Sequence, residues 1–223
     1  MKTGGRIGRI REILRQILYP EGAICLRCGA VSGGECLCPA CRRDLRQGDV
    51  LESWETREVA GVLAWSIRPH RGVARDLVLA LKHRAEARAA GELAALLRQR
   101  PAAFPALSPD TVVTWVPMPP GRKRERCIDH GQVLADRVAA ELGLSSRALL
   151  IRRGNSAPQA RLNRAGRERN LRNAYVPGEP IDFPVLLVDD VLTTGTTARR
   201  CVEALRAGGA AEITVLTMTR AAG

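Results

Sequence analysis

Residues 185–198 read VLLVDDVLTTGTTA. Four apolar residues, Val185 to Val188, run into two adjacent carboxylates, Asp189 and Asp190, and then into Thr193, Thr194, Gly195, Thr196 and Thr197. An unbroken apolar run of this length, followed by a helical pattern, predicts a strand of a parallel sheet buried on both faces. Two like charges at the end of such a strand repel each other, and a structural role needs only one of them. In open parallel sheets ligands bind beyond the carboxyl ends of the strands, so the pair stands where a ligand arrives. The backbone N–H groups and hydroxyls of the loop can wrap a phosphate at the positive end of the next helix, and Gly195 permits close approach. A phosphate on one side and two carboxylates on the other point to a sugar phosphate. The acids would take two ring hydroxyls, or a magnesium ion beside them. No Gly-Lys-Thr follows, which excludes a nucleotide P-loop. A plain strand-turn-helix with one Asp near the cap explains neither the doubled Asp nor the Thr/Gly run.

Working outward, strand-like and helical patterns alternate. VAGVLAWSI (59–67) and TVVTWV (111–116) read as strands, as does EITVLTMT (212–219) at the far end. Helical spacing covers 72–84, 86–99, 129–142 and about 196–207, with Pro101, Pro105 and Pro109 marking a loop. The expected fold class is therefore α/β, a parallel sheet with helices on both faces. Near the start, Ile7, Ile10, Ile13, Leu14, Ile17 and Leu18 predict an amphipathic helix over 1–20 that ends before Pro20. It reads as a docking helix rather than a membrane-surface anchor.

Between the first helix and the sheet lies a cysteine cluster: Cys25-x-x-Cys28 and Cys38-x-x-Cys41, with Cys36 between them. Two such knuckles let four thiolates close a tetrahedron around one zinc ion, through a nine-residue, Gly-rich gap. Cys36 is a rival for Cys38, at a poorer chelating step. A disulfide framework is the competing reading; paired knuckles without a secretory signal suit a metal better. Four protein thiolates make a closed, structural site that staples a module too small to hold its own core. Three domains follow: the helix (1–20), a zinc module (21–50) and the α/β domain (51–223). Cys201 is expected to be a small core residue.

Of 223 residues, 35 are basic and 23 acidic, a net charge of +12, and only three of the basic residues are lysines. Residues 121–172 hold 13 basic against 5 acidic residues, or +8 of that excess. Such a concentration of arginine marks a polyanion footprint. Aromatics are only 3%, which argues against base-stacking platforms. No stretch of about 18 apolar residues is present for a membrane span, and the N-terminus lacks the apolar centre of a signal peptide. The expected location is the cytoplasm.

VLLVDDVLTTGTTA resembles the phosphoribosyl pyrophosphate (PRPP) signature of type I phosphoribosyltransferases. The four N-terminal cysteines, RDLVLALKHR, WVPMPPGRKRERCIDHGQVLA, and Gln159, Leu162, Arg167 and Asn170 extend the likeness to the ComF family of competence proteins, over roughly residues 13–220. Cys127 and Ile128 depart from that family, standing where a glycine and an aromatic are usual. The resemblance implies that Asp189 and Asp190 hold the ribose hydroxyls and that Thr193 to Thr197 hold the 5′-phosphate. It puts pyrophosphate against Pro117, Met118 and Pro119, with Arg122, Lys123, Arg124 and Arg126 following. It also reads Arg152, Arg153, Arg161, Arg164, Arg167, Arg169 and Arg172 as an arm that closes over the site or tracks DNA phosphates. The implied ligands are PRPP with magnesium, structural zinc, single-stranded DNA and a protein partner of the competence machinery. The implied role is DNA uptake in natural competence. The alternatives are a salvage phosphoribosyltransferase with an unassigned acceptor, and a non-catalytic PRPP-responsive module. No residue is assigned to catalysis.

Overall fold

A computed structural model describes residues 24–47, 54–118, 128–153 and 174–221. The chain divides into two compact units, Met1–Gly48 and Asp49–Gly223. The helix expected over 1–20 lies outside the described residues.

In the first unit, an isolated bridge between Ile24 and Val31 closes the first knuckle. A short helix, α1 (Pro39–Gln47), follows the second, with Cys41 and Leu45 on its buried side. Proline at its first turn fits, because that N–H has no intrahelical acceptor.

The second unit is built on a six-stranded sheet of β1 (Glu55–Val59), β2 (Val62–Pro69), β3 (Val112–Trp115), β4 (Ser145–Ser146), β7 (Val185–Leu192) and β8 (Ile213–Arg220). Their order is β1-β2-β8-β7-β3-β4. Every neighbouring pair is parallel except β1–β2. A separate antiparallel pair joins β5 (Leu150–Arg152) to β6 (Tyr175–Pro177). The helices are α2 (Gly72–Arg84), α3 (Arg88–Ala94) running into a 3₁₀ turn (Ala95–Gln99), α4 (His130–Leu142) and α5 (Thr196–Ala207).

The expected parallel α/β sheet is present, with an antiparallel edge that periodicity did not show. The apolar run 59–67 is not one strand. Ala60 and Gly61 both have positive φ, 53° and 72°, and Val59 pairs with Val62 across them. This is a two-residue hairpin turn whose twist suits the flanking strands. β1 is charged and exposed except at Val59, as an unpaired sheet edge should be.

β7 lies between β3 and β8, so both its edges are paired, and α5 and α4 pack on it. Val185 and Leu187 pack into a core with Cys201, Val202 and Leu205 of α5. Cys201 is the buried core residue its position suggested. Leu186 and Val188 take the opposite face by strand alternation, where α4 packs on β3 and β7. All four are at most 1% exposed. The strand continues beyond them through both aspartates to Leu192. Burying four aliphatic side chains contributes roughly 1.5–3 kcal/mol each, and this anchors the strand end where the acids sit.

Candidate functional site

In the cysteine unit, the thiol sulfurs of Cys25, Cys28, Cys38 and Cys41 all lie within 4.8 Å of one another. The Sγ atoms of Cys28 and Cys38 are 3.7 Å apart. That is far beyond a disulfide bond and close to the edge of a tetrahedron with zinc–sulfur bonds of about 2.3 Å. Gly29, at φ 73°, turns the first knuckle and donates its N–H to the Cys25 carbonyl at 3.0 Å. The Cys41 N–H reaches Cys38 Sγ at 3.5 Å. Cys38 completes the set, and Cys36 is buried outside it. Burial alone would raise the Cys25 thiol, but hydrogen bonds from the Cys28, Cys38 and Arg27 backbone bring it down to about 6. Thiols so grouped give up protons together when a cation binds. The cluster can hold a metal such as zinc, which would supply cross-linking charge and no reactive position.

In the α/β unit, the strand ends open into a cleft of about 650 Å³. His70 follows β2, Pro117 and Met118 follow β3, the aspartates end β7, and Ala221 follows β8. Thr193 and Thr197 line it from the loop, Lys82 and His83 from the last turn of α2, and His130 from the first turn of α4. Arg152 and Tyr175 enter from β5 and β6.

The Thr loop is shaped by Gly195, which caps α5 at φ 76° and accepts the Arg199 N–H at 2.8 Å. A side chain there would be strained, and its Cβ would stand 3.3 Å from Val59. The hydroxyls of Thr194 and Thr196 lie 3.0 Å apart and are exposed with Thr193 and Thr197. Arg57 of β1 holds the loop from behind, donating to the Thr193 carbonyl at 2.7 Å.

The two acids differ sharply. Asp190 is 6% exposed, pairs with Lys82 Nζ at 2.7 Å and faces His130 Nε2 at 3.4 Å. Burial raises its pKa, but His130 and Lys82 together outweigh burial and hold it below the ordinary carboxylate value. Asp189 is pushed up to about 8, by burial and by the charge of Asp190. The repulsion inherent in the doublet therefore falls on Asp189, while Lys82 and His130 favour the charged form of Asp190.

A hydroxyl relay adjoins them. The Thr219 hydroxyl donates to the Asp190 carbonyl at 3.0 Å, so it can only accept from His70 Nδ1, 2.9 Å away. This fixes the neutral His70 tautomer with its proton on Nδ1. Burial, with Lys82 and Arg75, lowers its pKa. On the far side, Arg152 donates to the Tyr175 hydroxyl at 3.1 Å and lies 5.4 Å from its ring centre.

Of the residues singled out by sequence, Asp189, Asp190, Thr193, Thr197, Pro117, Met118 and Arg152 line one cleft. Thr194, Gly195 and Thr196 complete its loop. Arg153 is exposed. Pro119, Arg122, Lys123, Arg124, Arg126, Arg161, Arg164, Arg167, Arg169 and Arg172 lie outside the described residues. All three histidines of the chain, with Lys82 and Tyr175, line the same cleft. Lys82, His83 and His130 fall in the stretches that carry the family resemblance but were given no site role, and His70 and Tyr175 carried no signal; the residues come from distant parts of the sequence that the convergence of strand ends joins. A second open groove, of about 640 Å³ beside Pro101 and Pro105, gathers no comparable set of titratable groups.

No family model matches the chain. Over 63 residues it is 40% identical to an orotate phosphoribosyltransferase of Marinobacter nauticus, covering 28% of this chain and 29% of that one. Over 114 residues it is 32% identical to the DNA utilization protein YhgH of Salmonella typhi, half of each chain. The four-cysteine cluster and the Thr-loop sheet already described accompany this likeness over half the chain. The chain is ComF-like, with a phosphoribosyltransferase-like fold. The ComF-like chain matches YhgH of Salmonella typhimurium to the same extent, and it spans half or less of the curated relatives it matches. Among solved structures, an allosteric regulatory enzyme of purine biosynthesis shares 26% identity over 58% of this chain and 25% of that one. Its TM-score of 0.42 is too low to carry weight. No described helix of the ComF-like chain is long and apolar enough to cross a membrane.

Proposed function

We propose that the cleft binds PRPP with magnesium and that the chain acts in the uptake and utilization of DNA, handling single-stranded DNA in the cytoplasm. The observation that carries the reading is convergence: the Thr loop, the acidic pair and the Pro117–Met118 turn meet in one cleft of about 650 Å³. In this reading the loop N–H groups and hydroxyls hold the 5′-phosphate, and the acids face the ribose hydroxyls. The turn after β3, with Arg122, Lys123, Arg124 and Arg126, receives the pyrophosphate. Magnesium arrives with the pyrophosphate and offsets its charge.

The DNA role is supported by the likeness to YhgH, whose name describes DNA utilization, and by the +8 excess in residues 121–172. Arg153 and the arginines between 161 and 172 are the proposed phosphate contacts; Arg152 serves the cleft. We assign residues 21–50 to a zinc module that presents a partner-docking surface, and 51–223 to the ligand-binding domain.

Calorimetric titration of PRPP and magnesium into the zinc-loaded chain tests the site, beside an Asp189→Ala/Asp190→Ala variant. Magnesium-dependent binding that vanishes in the variant supports the reading, and silence in the parent removes it. Pyrophosphate release on adding an acceptor distinguishes transfer from binding. For DNA, affinity for a single strand should fall steeply with salt, and a salt-insensitive affinity would refute the electrostatic contact.

A further inference from the structure

β1 is an exposed edge strand, yet its hairpin reaches across to the loop and helix that follow β7. Arg57 donates from Nη1 to the Thr193 carbonyl at 2.7 Å. Val59, the one buried residue of the strand, belongs to the same core cluster as Leu192 and Ala198, which bracket the loop. A Cβ placed on Gly195 would stand 3.3 Å from its side chain. At the hairpin turn, the Ala60 carbonyl accepts Nη1 of Arg206, from the last turn of α5, at 2.6 Å. Edge hairpin, Thr loop and α5 are therefore tied together at three points.

Thr193 lines the large cleft, whereas Arg57 borders a separate hollow of about 140 Å³ with Leu192 and Arg220. Arg57 thus takes hold of the Thr193 peptide from outside the cleft. A trans peptide is planar, with the carbonyl of one residue and the N–H of the next pointing in opposite directions. A guanidinium that draws the Thr193 carbonyl outward turns the Thr194 N–H the other way, toward the cleft. The contact is charge-assisted, and it polarises the peptide so that this N–H becomes a better donor to an anion. A donor fixed in advance at the head of α5 meets an anion without reorienting.

We infer that Arg57 is a positioning residue for anion binding, an inference that rests on the phosphate reading of the Thr loop above. Its hold on the Thr193 carbonyl fixes the peptide whose N–H meets the 5′-phosphate, and the edge hairpin is the backing against which the loop is set. Three strands lie between β1 and β3 in the sheet, so the effect is confined to the phosphate end of the ligand and spares the pyrophosphate turn. The charged, antiparallel edge strand thereby acts in recognition as well as ending the sheet.

The test uses the whole zinc-loaded chain and two probes, PRPP with magnesium and pyrophosphate with magnesium, titrated by calorimetry. Arg57→Met keeps much of the side chain's reach and removes the donor. It should weaken PRPP about ten-fold and leave pyrophosphate within about two-fold. The melting point should move by less than about 4 °C, because the side chain is exposed. Arg57→Lys keeps a charged donor and should recover most of the lost affinity, which a space-filling role would not require. Glu55→Gln removes the ion pair that the same strand makes with Arg220, away from the loop carbonyl, and should change neither affinity by more than about two-fold. In an amide spectrum the Thr194 resonance should move to lower field as inorganic phosphate is added to the parent, and move less in Arg57→Met. Parent-like PRPP binding by Arg57→Met overturns the inference, as does an equal loss of both probes. A loss in Glu55→Gln as large as that in Arg57→Met also overturns it. If the parent binds no PRPP, the phosphate reading falls by itself, and the hold on the loop is judged on the ligand-free spectrum. There Arg57→Met should shift Thr194 more than Glu55→Gln does, and an unmoved Thr194 overturns the hold as well.

Discussion

In the first unit the four candidate ligands sit between residues 25 and 41, whereas the cleft of the second draws side chains from residue 70 to residue 221. The cysteine cluster is a local object: two three-residue chelating steps joined by a short glycine-rich turn. The cleft is a product of topology, since parallel strands brought side by side align their carboxyl ends whatever the intervening sequence. The difference teaches where stability and recognition reside. The cysteine unit would owe its fold to a cation, while the cleft owes its shape to an aliphatic sheet that needs none.

The sharpest way to break that comparison is to withdraw metal. Chelation should cost the cysteine unit roughly 10 kcal/mol and unfold it, leaving the melting of the sheet unit in place; calorimetry with zinc analysis would show one transition lost. A single cooperative collapse would mean that the two units depend on each other. Next in size, Leu187→Ala should cost the sheet unit about 3–4 kcal/mol, since Leu187 is fully buried behind the acids. Chemical denaturation would read it as a lower midpoint. Asp190→Asn should cost about 3 kcal/mol, because it strands the Lys82 charge. Gly195→Ala should cost about 1–2 kcal/mol from the left-handed backbone alone, and it should weaken phosphate binding at the loop in a direct titration.

A slope with pH separates the two acids. Asp189 ionises near 3.8 when unfolded and at about 8 in the fold, so the folded state holds the extra proton between those values. Stability from this residue therefore falls as pH rises from about 4 to about 8 and is flat outside that window. Asp190 has the opposite sign: its contribution is present above the unfolded value and lost as pH falls through its depressed folded value. Asp189→Asn should therefore gain on the parent as pH rises to 8, measured as urea midpoints at pH 4, 6 and 8. A constant difference between the two proteins would show that folding does not raise the Asp189 carboxyl.

The legible parts of the molecule were those in which chemistry is local in sequence. Val185 to Val188 announced a doubly buried strand because unbroken aliphatic runs are stable only where both faces are covered. The Thr/Gly run announced the loop between β7 and α5, and Cys25, Cys28, Cys38 and Cys41 declared a chelating set, because each depends on contacts a few residues apart. The edge hairpin escaped notice because Ala60 carries no turn signal, although it adopts the left-handed conformation. The β5–β6 pair escaped for another reason: each strand is three residues long and its partner lies more than twenty residues away. Tertiary structure alone decided that His70, His83 and His130 share a cleft, that Lys82 and His130 converge on Asp190, and that Asp189 is the less enclosed of the two acids lining that cleft. Strand alternation sends adjacent side chains to opposite faces, so two letters identical in sequence become two residues with different neighbours and oppositely shifted pKa values.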